Sequence, residues 1–333
     1  MAEQYDTLDN TTLDHLAGLA MKRYPPALQG KLTLLCRSEN ATYRLAAGGK
    51  RYAMRIHRPG YHQREEIACE LQWLTALREE GIMVPEPLRG LDGETVQRVT
   101  LADGTQRNVV LFHWIDGEMP TTEVDAGAFE QLGMITARLH QHSRRWTQPA
   151  GFRRIIWDHD TMVGRESHWG RWQDAPNLAV SDHGVIEETL QQVGDAVAVY
   201  GKDSQRYGLI HADLRLTNLL LHRGETRVID FDDCGFGWYL HDLAAAISFV
   251  EHHPSAPAWV EGWINGYQRV CSLNDADLAV IPSLLIQRRI QLMAWAGSHR
   301  QTEQAVSLGA QWSAHTVRLC RRYLERRALP VGA

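Results

Sequence analysis

Long apolar runs are missing from this 333-residue sequence. The longest clear stretch, residues 243–250, is far too short to cross a bilayer, so no membrane partner is expected. Cysteine is sparse: Cys36, Cys69, Cys234, Cys271 and Cys320 are odd in number, scattered, and never arranged as Cys-x-x-Cys. That indicates neither a disulfide framework nor a zinc site. Basic residues are in deficit, 35 Lys and Arg against 40 Asp and Glu, and a net charge of −5 gives no reason to expect a nucleic-acid partner. The opening residues, Met-Ala-Glu-Gln-Tyr-Asp, are polar and acidic, unlike a secretory signal. Internal repeats and low-complexity tracts are also lacking. What is left, 44% hydrophobic and 23% charged residues, is ordinary for a reduced, cytoplasmic protein with one large core or two modest ones.

One block stands out against this plain background. His211-Ala-Asp213-Leu-Arg-Leu-Thr-Asn218 is followed by Asp230-Phe-Asp232-Asp233, with apolar residues 219–221 and 228–229 flanking a polar His-Arg-Gly-Glu turn. The pattern predicts a buried hairpin with an acidic cluster at each end. Carboxylates so close together repel unless a cation lies among them. Phosphoryl transfer needs this set: a carboxylate to orient and deprotonate an acceptor hydroxyl, and hard oxygen donors for Mg²⁺. The kinase catalytic loop has the form H-x-D-L-x-x-x-N, with a metal-binding D-F-x downstream. The sequence matches it, with Ala212 in place of the usual Arg and Asp232 in place of the usual Gly. On that template Asp213 is the proton acceptor, Asn218 and Asp230 are the metal ligands, and His211 braces the loop.

These residues resemble the aminoglycoside phosphotransferase and choline kinase superfamily, with a lean toward its homoserine-kinase-like branch. The resemblance implies an α+β, protein-kinase-like bilobal fold: a small, mainly antiparallel β-sheet lobe over residues 1–116 and a larger α-rich catalytic lobe over 117–333. It implies ATP as phosphate donor and Mg²⁺ as cofactor. The first bend of such a lobe covers the phosphates, and here it lacks the expected glycines. Arg37-Ser38-Glu39-Asn40 stands there instead, which makes Ser38 and Asn40 nucleotide-binding candidates. Arg55 occupies the strand position where relatives commonly carry Lys, and a planar fork grips phosphate differently from a point charge. Its implied partner on the next helix is Glu70, with Glu66 one turn earlier as the rival. The hinge whose backbone binds adenine falls near Phe112, His113 and Trp114.

The rest of the chain reads as alternating segments. Helical spacing covers 8–23 and 63–80, strands are expected at 31–36, 42–46, 51–56, 95–101 and 108–115, and helices return at 126–143 and 185–200. His140 and His142, two apart, lie on different helix faces and are not a metal pair. Asp242 opens an apolar helix, where a carboxylate can cap free amides, and in the superfamily it braces the catalytic loop. Helices at 259–267, 275–290 and 305–327 complete the lobe. The segment 145–182 carries Trp146, Trp157, Trp169 and Trp172, and such insertions line the acceptor pocket in related enzymes.

An activation segment with its Ala-Pro-Glu anchor is missing after Asp230, since a new helix is expected by Asp242. Together with Ala212, this favours a small hydroxylated acceptor over a peptide. An acidic pocket of Asp213, Asp232 and Asp233, with Trp169 nearby, suits an acceptor that also bears an amine. Homoserine, choline, an amino alcohol or an aminoglycoside would all qualify. Two alternatives stay open: a stress-response type of serine/threonine protein kinase, and a nucleotide-binding pseudokinase that acts through partners.

Overall fold

The computed structural model describes residues 8–37, 39–120, 126–325 and 329–332. The chain divides into two units. One runs up to Gly117 and takes in Pro149–Arg153 and Arg227–Asp232. The other holds Glu118–Gln148, Arg154–Thr226 and the chain from Asp233 onward.

In the first unit, α1 (Asn10–Met21) starts where the Asp9 carboxylate accepts the Thr12 amide. It is followed by β1 (Lys31–Arg37), β2 (Ala41–Ala47) and β3 (Lys50–Ile56), then α2 (Arg64–Glu79), β4 (Val96–Thr100) and β5 (Gln106–His113). The five strands form one antiparallel sheet in the order β1-β2-β3-β5-β4. The β2–β3 turn uses Gly48 and Gly49, both at positive φ. Alternation works as the sequence predicts: Tyr43, Leu45, Met54 and Ile56 point into a core that Leu13, Leu16 and Ala17 of α1 close. α2 buries Ile67, Leu71, Leu74 and Leu77, and with them Glu70.

In the second unit, α3 (Ala126–Arg145) buries Phe129, Leu132, Ile135 and Leu139. Then come β6 (Ile155–Trp157), α4 (His159–Val163), α5 (His183–Tyr200) and β7 (Tyr207–Ile210). A hairpin of β8 (Leu219–His222) and β9 (Glu225–Val228) follows, with the unit division falling inside β9. β10 (Gly235–Trp238) pairs parallel to β6 and antiparallel to β7. The helices α6 (His241–Ala246), α7 (Ala256–Gln268), α8 (Asp275–Ser298), α9 (Glu303–Ser307) and α10 (Trp312–Leu324) complete it. α3 and α7 meet backbone to backbone. A Cβ at Gly133 would overlap the Trp263 carbonyl, and one at Gly266 the Glu130 carbonyl.

Three differences from the sequence reading have simple causes. The expected helix 305–327 is two helices, because Gly309 takes φ 75° between them. α8 runs on to Ser298, past the expected end at 290, since its apolar face continues through Trp295. The three-residue β6 and the four-residue β7 and β10 are too short to show a period, and Gly235 and Gly237 in β10 read as turn residues.

Candidate active site

The loop after β7 is held by α6. Of the two roles expected for Asp242, it does not cap its own helix, for α6 has no side-chain cap, but it does brace the loop. Its carboxylate turns to the loop: Oδ1 accepts the Ala212 amide at 2.7 Å, and Oδ2 accepts the His211 amide at 3.1 Å and pairs with His140 Nε2 at 2.9 Å. Ala212 sits at φ 68°, a left-handed conformation that costs a non-glycine residue about 1 kcal/mol or more, so it needs such bracing. Burial would raise the Asp242 pKa, but the His140 hydrogen bond outweighs it and holds the carboxyl below its usual range. His140, itself pushed toward neutrality by burial, also meets the Tyr267 hydroxyl at 3.0 Å. His211 is fully buried, and its Nδ1 accepts the Asp213 amide at 3.3 Å.

Asp213 projects from this loop with its carboxylate caged by donors. Arg215 reaches it from Nε at 3.1 and 3.2 Å and from Nη2 at 3.0 Å, Arg288 Nη2 meets Oδ1 at 3.0 Å, and Asn218 Nδ2 meets Oδ2 at 3.2 Å. Asn218 Nδ2 also donates to the Asp213 carbonyl at 2.8 Å, so its amide nitrogen is engaged. The Arg288 guanidinium lies 5.0 Å from the centre of the Trp169 ring. Trp169 is buried edge-on to Trp157, and its indole N–H has no partner among the described residues. His241, fully buried and pushed down to about 3 by burial and then by Arg288, stays neutral. The Asp233 carbonyl accepts the Trp157 indole N–H at 2.7 Å.

The first unit builds a second charged cluster around Arg55. Nη2 of Arg55 grips both oxygens of Glu70 at 2.7 Å, Nε meets His57 Nε2 at 3.3 Å, and Nη1 lies 3.9 Å from Asp232 Oδ1. Glu70 is therefore the partner of the cation. The rival Glu66 accepts the Gln63 amide at 2.7 Å in a helix-capping box. Burial opposes the charge on Arg55, but Glu70 and Asp232 outweigh it and raise its pKa. Asp232 is likewise held well below the usual carboxylate range, because Arg55 and the His57 hydrogen bond overcome the cost of burial. Asn40 donates to Asp232 Oδ2 at 2.8 Å and accepts the Arg58 amide at 2.9 Å, and His62 Nε2 meets the Asp232 carbonyl at 2.8 Å.

These contacts correct one expectation. Asp213 and Asp232 are each matched by cations of their own unit. Asp213 is matched by two arginines, and Asp232 is buried in the first unit on Arg55 and His57 rather than open to an acceptor. Ser38 lies outside the described residues. At the positions expected to form the hinge, Phe112 is buried with the Arg55 guanidinium 5.3 Å from its ring centre, the His113 amide donates to the Glu86 carbonyl at 2.9 Å, and Trp114 lies past the end of β5. Asp230 is exposed at φ 62°.

A model of the phosphotransferase enzyme family matches residues 37–280. The chain belongs to that family. Among solved structures it is similar to a microcompartment-associated aminopropanol kinase, 41% identical with a TM-score of 0.87 over 95% of this chain and 99% of that one. It also shares its fold with the amicoumacin kinase hAmiN, described in complex with AMP-PNP, Ca²⁺ and Ami, at 22% identity and a TM-score of 0.75 over 97% and 95% of the two chains. Among curated proteins it is 26% identical to a homoserine kinase of Gluconobacter oxydans (strain 621H) across 236 residues, 67% of this chain and 69% of that protein. The α+β, protein-kinase-like fold and an ATP-dependent kinase activity toward an alcohol group come with membership of this phosphotransferase family.

Sequence reasoning did not single out Arg288, Arg215, His57 or His62. A usable signal was present for the first: Arg288 and Arg289 interrupt the apolar run 284–296, and charges inside a buried helix face demand partners. Among the described residues no helix is long and apolar enough to cross a membrane.

Proposed function

We propose that this phosphotransferase moves the γ-phosphoryl group of ATP to the hydroxyl of a short amino alcohol of the aminopropanol class. Likeness to the aminopropanol kinase, over almost the full length of both chains, is the observation that carries the acceptor class. In the reaction, the acceptor oxygen bonds to the γ-phosphorus, the bond from that phosphorus to the β–γ bridging oxygen breaks, and ADP leaves. The hydroxyl proton passes to the Asp213 carboxylate, with His211 and Asp242 keeping the loop in register.

Asn218 and Asp230 are the proposed Mg²⁺ donors. With the Asn218 nitrogen engaged by Asp213, its carbonyl oxygen is the donor atom that remains, and Asp230 offers an exposed carboxylate. Mg²⁺ takes few hard oxygens from a protein and the rest from phosphates and water, which fits so small a set. When bound, it neutralises charge on the phosphate oxygens. Arg55, oriented by Glu70, is the proposed phosphate contact, and the backbone near Phe112, His113 and Trp114 the adenine contact. Asp233 and Trp169 are the proposed acceptor-side residues. A carboxylate suits the ammonium, and the buried indole N–H needs an acceptor atom.

Mg²⁺-dependent ADP release across amino alcohols, homoserine, choline, sugars and aminoglycosides tests the reading, with Asp213→Asn as control. Release stimulated by aminopropanol in the wild type alone is the expected result. Stimulation by homoserine or an aminoglycoside alone overturns the acceptor class, and stimulation that survives Asp213→Asn overturns the role of Asp213.

A further inference from the structure

Two guanidinium groups meet Asp213, and they are held very differently. Arg215 belongs to the loop itself and its side chain is 24% exposed. Arg288 comes from α8 and its side chain is 2% exposed. Besides Asp213 Oδ1, Arg288 donates from Nε to Ser248 Oγ at 3.0 Å and from Nη1 to Gln291 Oε1 at 3.1 Å, while its face lies over Trp169. Every edge of the fork is thus fixed by a different side chain. Burying a guanidinium costs several kcal/mol unless it is well paired. Its chain neighbour Arg289 is spent elsewhere, on Glu251, Thr316 and the Trp312 carbonyl, in contacts that tie α8 to α10. Among the described residues Arg288 makes no such tie to α10. Its charge partner is Asp213, at 3.0 Å.

We propose that Arg288 is a positioning residue for phosphoryl transfer. It pins Oδ1 of Asp213 and stops rotation of the carboxylate, so that Oδ2, whose protein partners are Arg215 and Asn218, is the oxygen that meets the acceptor hydroxyl. Ser248 and Gln291 hold the far side of the fork, and Trp169 supplies a face for it to rest on. This inference rests on the phosphotransferase reading of Asp213 given above.

A double-mutant cycle tests it. Arg288→Gln is expected to lower kcat by about 10–100-fold with KM for ATP unchanged, the size of loss that misplacing a reacting group produces. Arg288→Lys, which keeps the charge but not the fork, recovers part of it. In an Asp213→Asn background Arg288→Gln adds less than about two-fold, since there is no carboxylate left to position. Losses that multiply, or an Arg288→Gln enzyme with wild-type kcat, overturn the proposal. If Arg288→Gln does not fold, Ser248→Ala is read in the same cycle, with a smaller loss that again vanishes beside Asp213→Asn. The same cycle run on thermal midpoints needs no acceptor. Coupled midpoints in a protein inert to every amino alcohol keep the clamp and remove the acceptor assignment, whereas additive midpoints remove the clamp.

Discussion

Each unit buries a guanidinium against a carboxylate, and the two do so with opposite stoichiometry. In the first, one arginine serves two carboxylates: Arg55 grips Glu70 at both oxygens and lies near Asp232. In the second, one carboxylate serves two arginines: Asp213 carries Arg215 and Arg288. The first cluster leaves a surplus of negative charge in the unit that also contains Asp230, a setting that suits a divalent cation. The second leaves a surplus of donors around one carboxylate, a setting that suits the oxygens of a phosphoryl group and holds the carboxylate still.

The largest effect expected is on the second cluster. Asp213→Asn should lower kcat by roughly 100–10,000-fold in the ADP-release assay, because the proposed proton acceptor is gone. It should also lower the thermal midpoint, because Arg288 is left buried without its charge partner. A variant that keeps its rate would break the comparison at its functional end.

In the first cluster the same logic gives a stability effect. Glu70→Ala strands a buried Arg55 and should cost about 3–5 kcal/mol in denaturant unfolding, whereas Glu70→Gln should cost less. A Glu70→Ala cost near zero would mean that Asp232 alone suffices for Arg55.

Acidification should weaken both units. His57, His140 and His241 are pushed down by burial, and His57 and His241 are lowered further by Arg55 and Arg288 respectively. The unfolded chain therefore takes up these protons first. Stability is complete above the unfolded value, about pH 6.5, and falls as pH drops below it, by up to about 1.4 kcal/mol per pH unit for each histidine. Asp232 and Asp242, held low in the fold, add to the loss only below about pH 4. Two of the three histidines lie in the second unit, so hydrogen exchange from pH 8 to 5 should show that unit loosening more. The smallest effect belongs to an exposed pair. Arg51→Gln breaks its bridge to Asp116, where both side chains are about half exposed, and should cost less than about 1 kcal/mol by the same unfolding measurement.

The chemistry was legible where spacing is tied to covalent neighbours. His211, Asp213, Asn218 and Asp230 lie within twenty residues, and the strand and helix periods of the first unit are long enough to read, so the family resemblance could put Glu70 opposite Arg55, with Glu66 left as a rival that only the folded side chains decide against. What was not legible depends on chain segments far apart. Arg288 reaches Asp213 across 75 residues, and Asn40 reaches Asp232 across 192. Asp232 was read as an open acidic group because a cluster of aspartates implies a cation. The charge that answers it is the protein's own Arg55, helped by a hydrogen bond from His57, and no local pattern announces either. The Trp169 expectation found a buried ring with the Arg288 guanidinium on its face, a contact between residues 119 apart in the chain.

The most direct test of the account is ³¹P NMR of the product formed from ATP, Mg²⁺ and aminopropanol. The account predicts a phosphomonoester on the hydroxyl oxygen together with ADP, formed by the wild type and not by Asp213→Asn. A phosphoramidate on nitrogen, inorganic phosphate alone, or the same ester from Asp213→Asn would contradict it.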